Sequence, residues 1–259
     1  MPLYRASAIV LRRRSFEETD KLLVLYTREF GKLSAIAKGA RRSQSRLVGA
    51  SEPLVYSRLQ LAEGRNLDII SEATVKHTFV GLKTSPRKIE YALYLLELTD
   101  ALVEERQPSA DLFDLLLSSL YLLESRDHDS LIARRFELQA LDIAGYTPEF
   151  DRCVLCRALR PPERGAVFSP THGGILCSRC RSGQGEVLAT AGAILEAGKT
   201  LTRLPAHKID SVELSPEQAQ ELARVCRSHI HYHVGRDLKA GSVVASAEHS
   251  TNQIRPPTH

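Results

Sequence analysis

Four cysteines in the middle of the chain have the spacing of a metal site. Cys153 and Cys156 form one Cys-x-x-Cys pair, and Cys177 and Cys180 form a second pair, with 20 residues between them. Each pair can supply two thiolates to one side of a coordination tetrahedron, and the intervening loop is long enough to bring the pairs together. The spacing therefore predicts one Zn²⁺ ion bound by four thiolates.

The predicted zinc site is structural. Four thiolates fill the coordination sphere, so no position remains for water or substrate. His172 precedes the second pair and could replace one ligand, but four cysteines make it unnecessary. A thioredoxin-like redox role needs only one pair and a βαβ context, which the sequence does not show.

Other catalytic signatures are missing from the sequence. It contains no Walker A loop, no Gly-x-Gly-x-x-Gly and no Gly-x-Ser-x-Gly elbow. Glu17, Glu18 and Asp20 form a small acidic cluster, and such a cluster alone is usually a solvated turn. We therefore predict that the protein is not an enzyme. A metal-dependent hydrolase or nuclease is the alternative, which cleavage of labelled DNA with Mg²⁺ or Mn²⁺ would reveal.

Positive charge is concentrated at the N-terminal end of the chain. Residues 1–60 hold 12 lysines and arginines against five acids, whereas residues 61–259 hold 23 against 26. No acid occurs between residues 32 and 51. Such segregation is typical of a protein that docks a polyanion at one end.

The stretch KGARRSQSR, residues 38–46, is the strongest candidate for phosphate binding. Small residues let the backbone approach phosphate closely, and arginines can pair with it in a bidentate manner. The predicted DNA-binding residues are Arg12, Arg13, Arg14, Lys32, Lys38, Arg41, Arg42 and Arg46. The N-terminal region has few aromatic residues, so binding should depend on charge more than on base stacking. We expect weak sequence preference and strong salt dependence.

The first 80 residues read as a small β-barrel domain. Five short runs of β-branched and apolar residues are separated by turn residues, and no long helical segment intervenes between most of them. The sheet should be antiparallel. Closure into a barrel removes the exposed sheet edges. We place the first strand at residues 3–12, with Arg12–Arg14 at its end.

Residues 81–240 read as an all-α helical domain that carries the cysteine insert at residues 150–182. Ser85 and Pro86 are a helix start, and Ser215 with Gln218 predicts a capping box on the last helix. Residues 241–259 have no periodicity and should form a disordered tail. The fold class is therefore multi-domain α+β, a five-stranded barrel followed by helices.

No transmembrane helix is expected, because no run of 18 apolar residues occurs. The N-terminal residues place their charges after their apolar residues, which is the reverse of a signal peptide. We therefore expect a cytoplasmic protein without a membrane partner, in which the cysteines bind metal or stay reduced.

The N-terminal sequence AIVLRRRSFEETDKLLVLYTREFGKLSAIAKGARRSQSR resembles that of the bacterial RecO family. The matching features are the acidic turn Glu18–Asp20, Thr27 and Gly31 of a hairpin, and the loop Lys38–Arg41. LELTDALVEE and GYTPEFDRCVLC resemble the helical region and cysteine insert of the family. The resemblance runs from about residue 3 to residue 235.

This resemblance implies an OB-fold at the N-terminus and a DNA recombination mediator that acts in repair. It also implies binding of single- and double-stranded DNA, annealing of complementary strands, and a partnership with RecR. With RecR, such a protein helps to load RecA onto DNA coated by single-strand-binding protein (SSB). Association with the nucleoid follows from these roles.

A zinc-ribbon transcription or RNA-binding factor is the alternative function. It would use the cysteine insert as its contact surface, and Arg157, Arg160, Arg164 and Arg179 make that insert basic. Selection of a consensus site from randomised duplexes would favour this alternative.

Overall fold

Five strands at the N-terminus close into a barrel in the computed structural model, which describes residues 2–160, 165–241 and 244. They are β1 (Leu3–Phe16), β2 (Asp20–Thr27), β3 (Gly31–Ala37), β4 (Tyr56–Ala62) and β5 (Asp68–His77). The order around the barrel is β1-β2-β3-β5-β4, and β1 pairs with both β2 and β4. The prediction of a five-stranded, OB-like barrel is confirmed.

One strand pair departs from the predicted antiparallel sheet, because β3 and β5 run parallel. The segment between β3 and β4, which contains the short helix α1 (Leu47–Ala50), carries the chain across to the far side of β1. β4 then pairs antiparallel with β1, and β5 antiparallel with β4. Closure leaves β5 beside β3 in the same direction.

The first strand is longer than predicted and includes the run Arg12–Arg14. β1 pairs through its first half with β4 and through its second half with β2. Its register with β2 shifts between Val10 and Arg12, which marks a bulge. A bulge bends a strand and increases its twist, and this allows one strand to serve two neighbours. The three arginines therefore lie on a strand rather than in a loop.

The barrel interior is filled by alternating residues of the strands. Alanines on β1 and β3 face leucines on β2, β3 and β4, so that small and large side chains share a narrow interior. The buried cluster comprises Ala6, Ala8, Val10, Leu23, Leu25, Leu33, Ala35, Ala37, Ala40, Leu59, Leu61 and Ile70.

The β2–β3 hairpin depends on the two residues that carry the family resemblance there. The hydroxyl of buried Thr27 donates to the carbonyl of Gly31 (2.8 Å) and accepts from the N–H of Phe30 (3.1 Å). Gly31 has φ of +70°, and a Cβ atom there would lie 2.2 Å from the carbonyl oxygen of Gln107. Only glycine fits this position.

Three helices follow the barrel and belong to the same compact unit, Met1–Ser125. They are α2 (Val80–Lys83), α3 (Pro86–Leu102) and α4 (Ala110–Ser125). α3 begins as predicted: Pro86 is at its first turn, and the Ser85 hydroxyl accepts from the N–H of Lys88 (3.4 Å). The rings of Tyr26 and Phe113, 5.9 Å apart, pack α4 against β2.

The second compact unit, Arg126–His259, contains the remaining helices and the cysteine insert. Helices α5 (Asp129–Ile143), α6 (Gly192–Arg203) and α7 (Pro216–Val234) pack against one another, and a 3₁₀ helix (Ala206–Ser211) precedes α7. The predicted capping box of Ser215 and Gln218 is present on α7. The predicted domain boundaries at residues 80 and 240 stay a prediction.

Two strands of the insert and one strand that follows it form a three-stranded sheet that the sequence did not reveal. Its strands are β6 (Ala166–Ser169), β7 (Gly174–Leu176) and β8 (Leu188–Thr190), in the order β7-β6-β8. Strands of three or four residues are too short to show alternation. Nearly all of the predicted tail lies outside the described residues. Among the described residues, no helix is long and apolar enough to cross a membrane.

His229 on α7 ties that helix to the insert. Its side chain is buried, its Nε2 lies 2.7 Å from the carbonyl oxygen of Tyr146, and its ring packs edge-on against Phe168 of β6. Burial lowers the pKa of His229 to about 4, and His233 nearby adds to the shift. The residue is therefore a neutral packing histidine that donates from Nε2.

Acid should destabilise the fold through His229. Its folded pKa of about 4 lies below the ordinary 6.5, so the unfolded chain takes up the proton first as the pH falls. The stabilising contribution is present above pH 6.5 and should fall by roughly 2 kcal/mol at pH 5. Chemical denaturation of the wild type and of His229→Gln at pH 7 and pH 5 measures it. Equal pH dependence in both proteins would contradict this assignment.

Candidate functional site

The basic loop that leaves β3 is held in place by Asp20, at the start of β2. Asp20 Oδ1 accepts the N–H of Gly39 (2.7 Å), and the N–H of Arg41 donates to the carbonyl of Thr19 (2.9 Å). Asp20 is buried, unlike the exposed Glu17. The acidic cluster is therefore not merely a solvated turn, because one of its carboxylates anchors the loop.

The loop surrounds a shallow cavity of about 480 Å³. Two tight turns form it: the N–H of Arg42 donates to the carbonyl of Gly39 (3.0 Å), and the N–H of Ser45 donates to that of Arg42 (2.9 Å). The cavity is lined by Lys38, Gly39, Arg42, Ser43, Gln44 and Ser45. Ammonium, guanidinium, hydroxyl and amide groups are suitable donors to phosphate.

Three of the eight predicted DNA-binding residues are paired with acids of their own unit. Arg12 and Lys32 both contact Asp100 of α3, at 2.9 and 3.2 Å. Arg13 contacts Glu52 at 2.9 Å. Lys32 is also largely buried, with 14% of its side chain exposed. These cations stabilise the unit and are less available to an external anion.

Glu52 lies between two cations, one of which the sequence did not single out. Lys21, buried in β2, donates to Glu52 (2.8 Å) and to the hydroxyl of Ser51 (3.0 Å). Burial of the Glu52 carboxyl opposes ionisation, but Lys21 and Arg13 outweigh it and lower its pKa. Lys21 was missed because it occurs within an apolar strand, where only the tertiary structure reveals its partner.

The other five predicted residues are exposed, and none has an acidic partner among the described residues. They are Arg14, Lys38, Arg41, Arg42 and Arg46. The Arg41 guanidinium has one long contact, 3.5 Å to the carbonyl of Glu17. Four of the five belong to the acid-free segment, so that segment was the signal that located the available charge.

The four cysteines meet at one point, as the spacing predicts. Their sulfur atoms all lie within 4.8 Å of one another, and those of Cys156 and Cys177 are 3.6 Å apart. Tetrahedral bonds of about 2.3 Å separate neighbouring sulfurs by about 3.8 Å. The cluster therefore fits a single tetrahedral metal ion. Such an ion would link the two halves of the insert.

Backbone N–H groups favour the thiolate form of two of the four cysteines, Cys153 and Cys177, whereas hydrogen bonds with the Cys177 and Cys156 side chains raise the pKa of Cys180. Burial disfavours ionisation of Cys153, but the N–H groups of Cys156, Cys177 and Leu155 outweigh it and lower its pKa to about 6. The N–H groups of Cys180 and Arg179 lower the pKa of Cys177 in the same way. Hydrogen bonds of this kind stabilise sulfur ligands in the charged form that binds metal.

His172 does not join the cysteine cluster. Its Nδ1 lies 3.0 Å from the hydroxyl of Ser169, within the β6–β7 turn. Gly174 begins β7 directly after that turn, and a Cβ atom there would lie 2.7 Å from the carbonyl oxygen of Glu149. Here Gly174 lets β7 pack closely against the segment that enters the first cysteine pair.

Removal of the Asp20 anchor should loosen the basic loop. Asp20→Ala leaves the Gly39 N–H without its acceptor, at a cost of roughly 1–3 kcal/mol in unfolding free energy. Asp20→Asn keeps an oxygen acceptor and should cost less. Urea denaturation of both variants provides the measurement. An Asn variant as unstable as the Ala variant would show that the carboxylate charge matters more than the hydrogen bond.

Two family models cover almost the whole described chain. Residues 1–79 match the N-terminal domain of recombination protein O, and residues 84–241 match its C-terminal domain. Each model covers one of the two predicted domains, so the barrel and the helical region with its insert both carry the family's sequence pattern.

Curated relatives are similar to the chain over nearly its full length. DNA repair protein RecO of Symbiobacterium thermophilum is 38% identical over 93% of this chain and 96% of its own. The Pelotomaculum thermopropionicum protein of the same name is 38% identical over 93% of each chain. That of a Nocardioides species is 36% identical over 93% of this chain and 99% of its own. The chain therefore belongs to the RecO family of DNA repair proteins.

Proposed function

We propose that the protein binds DNA phosphates through its basic loop and acts as a mediator without catalysing a covalent step. The main support is the cavity formed by residues 38–45. Lys38 and Arg42, which have no acidic partner among the described residues, line the cavity, and Asp20 anchors the loop that forms it. Arg14 on β1 and Arg46 after the loop add exposed charge to the same unit. One guanidinium group can donate two hydrogen bonds to two oxygens of the same phosphate, and this geometry suits a DNA backbone.

Charge of this kind supports strand annealing. Two complementary strands repel each other through their phosphates, and cations that bind both strands reduce that repulsion. The barrel residues then hold and neutralise the strands, and base pairing supplies the free energy. The scarcity of exposed aromatic rings on the barrel favours binding that is tolerant of sequence and of single or double strands.

We include in this proposal the more specific roles that the family resemblance implies. They are binding of single- and double-stranded DNA, annealing, partnership with RecR, and loading of RecA onto SSB-coated DNA. A cytoplasmic, nucleoid-associated location follows from them. The family match favours this function over a zinc-ribbon transcription or RNA-binding factor.

We also propose that the cysteine cluster holds one structural Zn²⁺ ion. Four sulfur donors in a tetrahedral arrangement are the preferred environment of this ion, and they leave no position for a substrate. Cys153, Cys156, Cys177 and Cys180 would be its ligands. The ion would cross-link the two cysteine pairs. Its loss would separate the two halves of the insert and would not remove a reacting group.

Neutralising the unpaired loop residues should weaken DNA binding. In Lys38→Gln/Arg42→Gln/Arg46→Gln, we expect at least about tenfold weaker binding at moderate salt. The slope of log affinity against log salt should decrease by about 2, because each lost phosphate contact removes about 0.7–0.9. Fluorescence anisotropy of a labelled oligonucleotide over a salt series measures both quantities.

A matched variant removes the same charge from paired positions. Arg12→Gln/Arg13→Gln/Lys32→Gln should change the salt slope less, yet it should lower stability because Asp100 and Glu52 lose their cations. Equal loss of affinity in the two triple variants would show that net charge, not the loop, determines binding.

Annealing assays, with Mg²⁺ or Mn²⁺ cleavage controls, test the absence of a covalent step.

Metal removal should destabilise the protein. The purified chain should contain one zinc per molecule, and Cys153→Ser should lose the ion and melt at lower temperature, because metal binding contributes to folding free energy. Cys226→Ala is the control, since Cys226 lies on α7 outside the cluster. Elemental analysis and thermal melting give the result. Full zinc content in Cys153→Ser would refute the ligand assignment.

A further inference from the structure

We propose that the cysteine insert carries a second phosphate-binding surface for nucleic acid, separate from the basic loop of the barrel. Its members are exposed arginines on the two cysteine turns, here called the knuckle surface: Arg152, Arg157, Arg179 and Arg181. The surface is defined by the structure of the insert alone. The choice of nucleic acid as its polyanion rests on the proposed function.

Backbone hydrogen bonds and the sulfur cluster bring these arginines together. Arg157 follows Cys156 directly, and its N–H donates to the carbonyl of Cys153 (2.8 Å). In the second turn, Arg181 follows Cys180, and its N–H donates to the carbonyl of Cys177 (3.1 Å). Because the four sulfurs lie within 4.8 Å of one another, the arginines beside them are on adjoining turns.

The nearby acids do not neutralise the knuckle surface. Asp151 pairs with Lys199 at 2.8 Å, and Glu149 accepts the backbone N–H groups of residues 151 and 152. Glu196 pairs with Arg160, which is buried and is not a member of the surface. Among the described residues, none of the four knuckle arginines has an acidic partner within salt-bridge distance.

Compensation of the metal site does not account for four arginines. Four thiolates around a divalent cation carry a net charge of −2, and four guanidinium groups carry +4. The turns therefore remain positive with the metal in place, which is the condition for attracting phosphate.

The turn from Cys153 to Arg157 leaves the Arg157 side chain exposed. Arg157 has φ of +60°, in the left-handed region, and its N–H closes the turn on the carbonyl of Cys153 (2.8 Å). This local hydrogen bond accounts for the backbone conformation, and the exposed guanidinium group remains accessible to an external anion.

Two exposed leucines distinguish nucleic acid from an acidic protein as the partner. Leu155 and Leu159 lie on the first turn, with 46% and 66% of their surfaces exposed. A protein partner that covered this turn would bury both leucines, so binding of such a partner should respond to their replacement. A phosphate-binding surface depends on the arginines instead, so Leu159→Ser should leave binding of the oligonucleotide unchanged.

The test uses Arg152→Gln/Arg179→Gln/Arg181→Gln in the full-length, zinc-loaded protein. These positions have ordinary backbone angles, so the variant should fold and keep its metal. The matched control, Arg203→Gln/Lys208→Gln/Arg236→Gln, removes the same charge from exposed positions of the same unit away from the cysteine turns. Anisotropy titrations with labelled single- and double-stranded oligonucleotides should show about tenfold weaker binding and a flatter salt slope for the knuckle variant only.

A photo-crosslinking amino acid placed at Leu159 gives a readout that does not depend on folding of the triple variant. It should crosslink to the oligonucleotide, and excess unlabelled DNA should abolish the product. Equal affinity of the knuckle variant and its control, or no crosslink, overturns the second surface. Loss of binding in the barrel-loop variant alone would then leave the proposed function intact. Failure of the wild type to bind DNA would reject both.

Discussion

Closure of the barrel through β1 is the constraint on which the arrangement of the first compact unit, Met1–Ser125, depends. One strand must pair with β4 along its first half and with β2 along its second half, and the bulge between Val10 and Arg12 makes this bend. The antiparallel β2–β3 pair sets the position of the basic loop, because the loop leaves β3 beside the start of β2. There Asp20 receives the Gly39 N–H and holds the loop at the end of the barrel.

The cations of the barrel serve two different physical purposes. Asp100 and Glu52 form ion pairs with Arg12, Arg13 and Lys32. These three cations are therefore partly neutralised within the unit. The cations of residues 38–46 have no acidic partner in the part of the chain that the structure describes, which is why we propose that they bind DNA phosphates. A single count of basic residues conceals this division, which decides where DNA would be held.

The cysteine insert combines four clustered sulfurs with exposed arginines on both cysteine turns. A metal ion bound by all four sulfurs would have no position left for a substrate, so its role would be structural. The same cluster also draws the two cysteine turns together, and arginines flank the ligands on both. An ion at this cluster would therefore hold the two arginine-bearing turns together without touching the nucleic acid that we propose binds there.

The sequence by itself determined the elements whose causes are local. Alternating apolar residues predicted the barrel strands, Ser85 and Ser215 predicted helix starts, and the cysteine spacing predicted the cluster. Only the tertiary structure decided the parallel β3–β5 pair, the short sheet of the insert and the pairing of Lys32 with Asp100. These depend on residues distant in sequence meeting in space, and no local pattern records which acid a cation will meet. Asp20 has a nearer cause: its carboxylate became a loop anchor because the antiparallel register of β2 and β3, which pairs Lys21 with Ala37, placed Gly39 beside it.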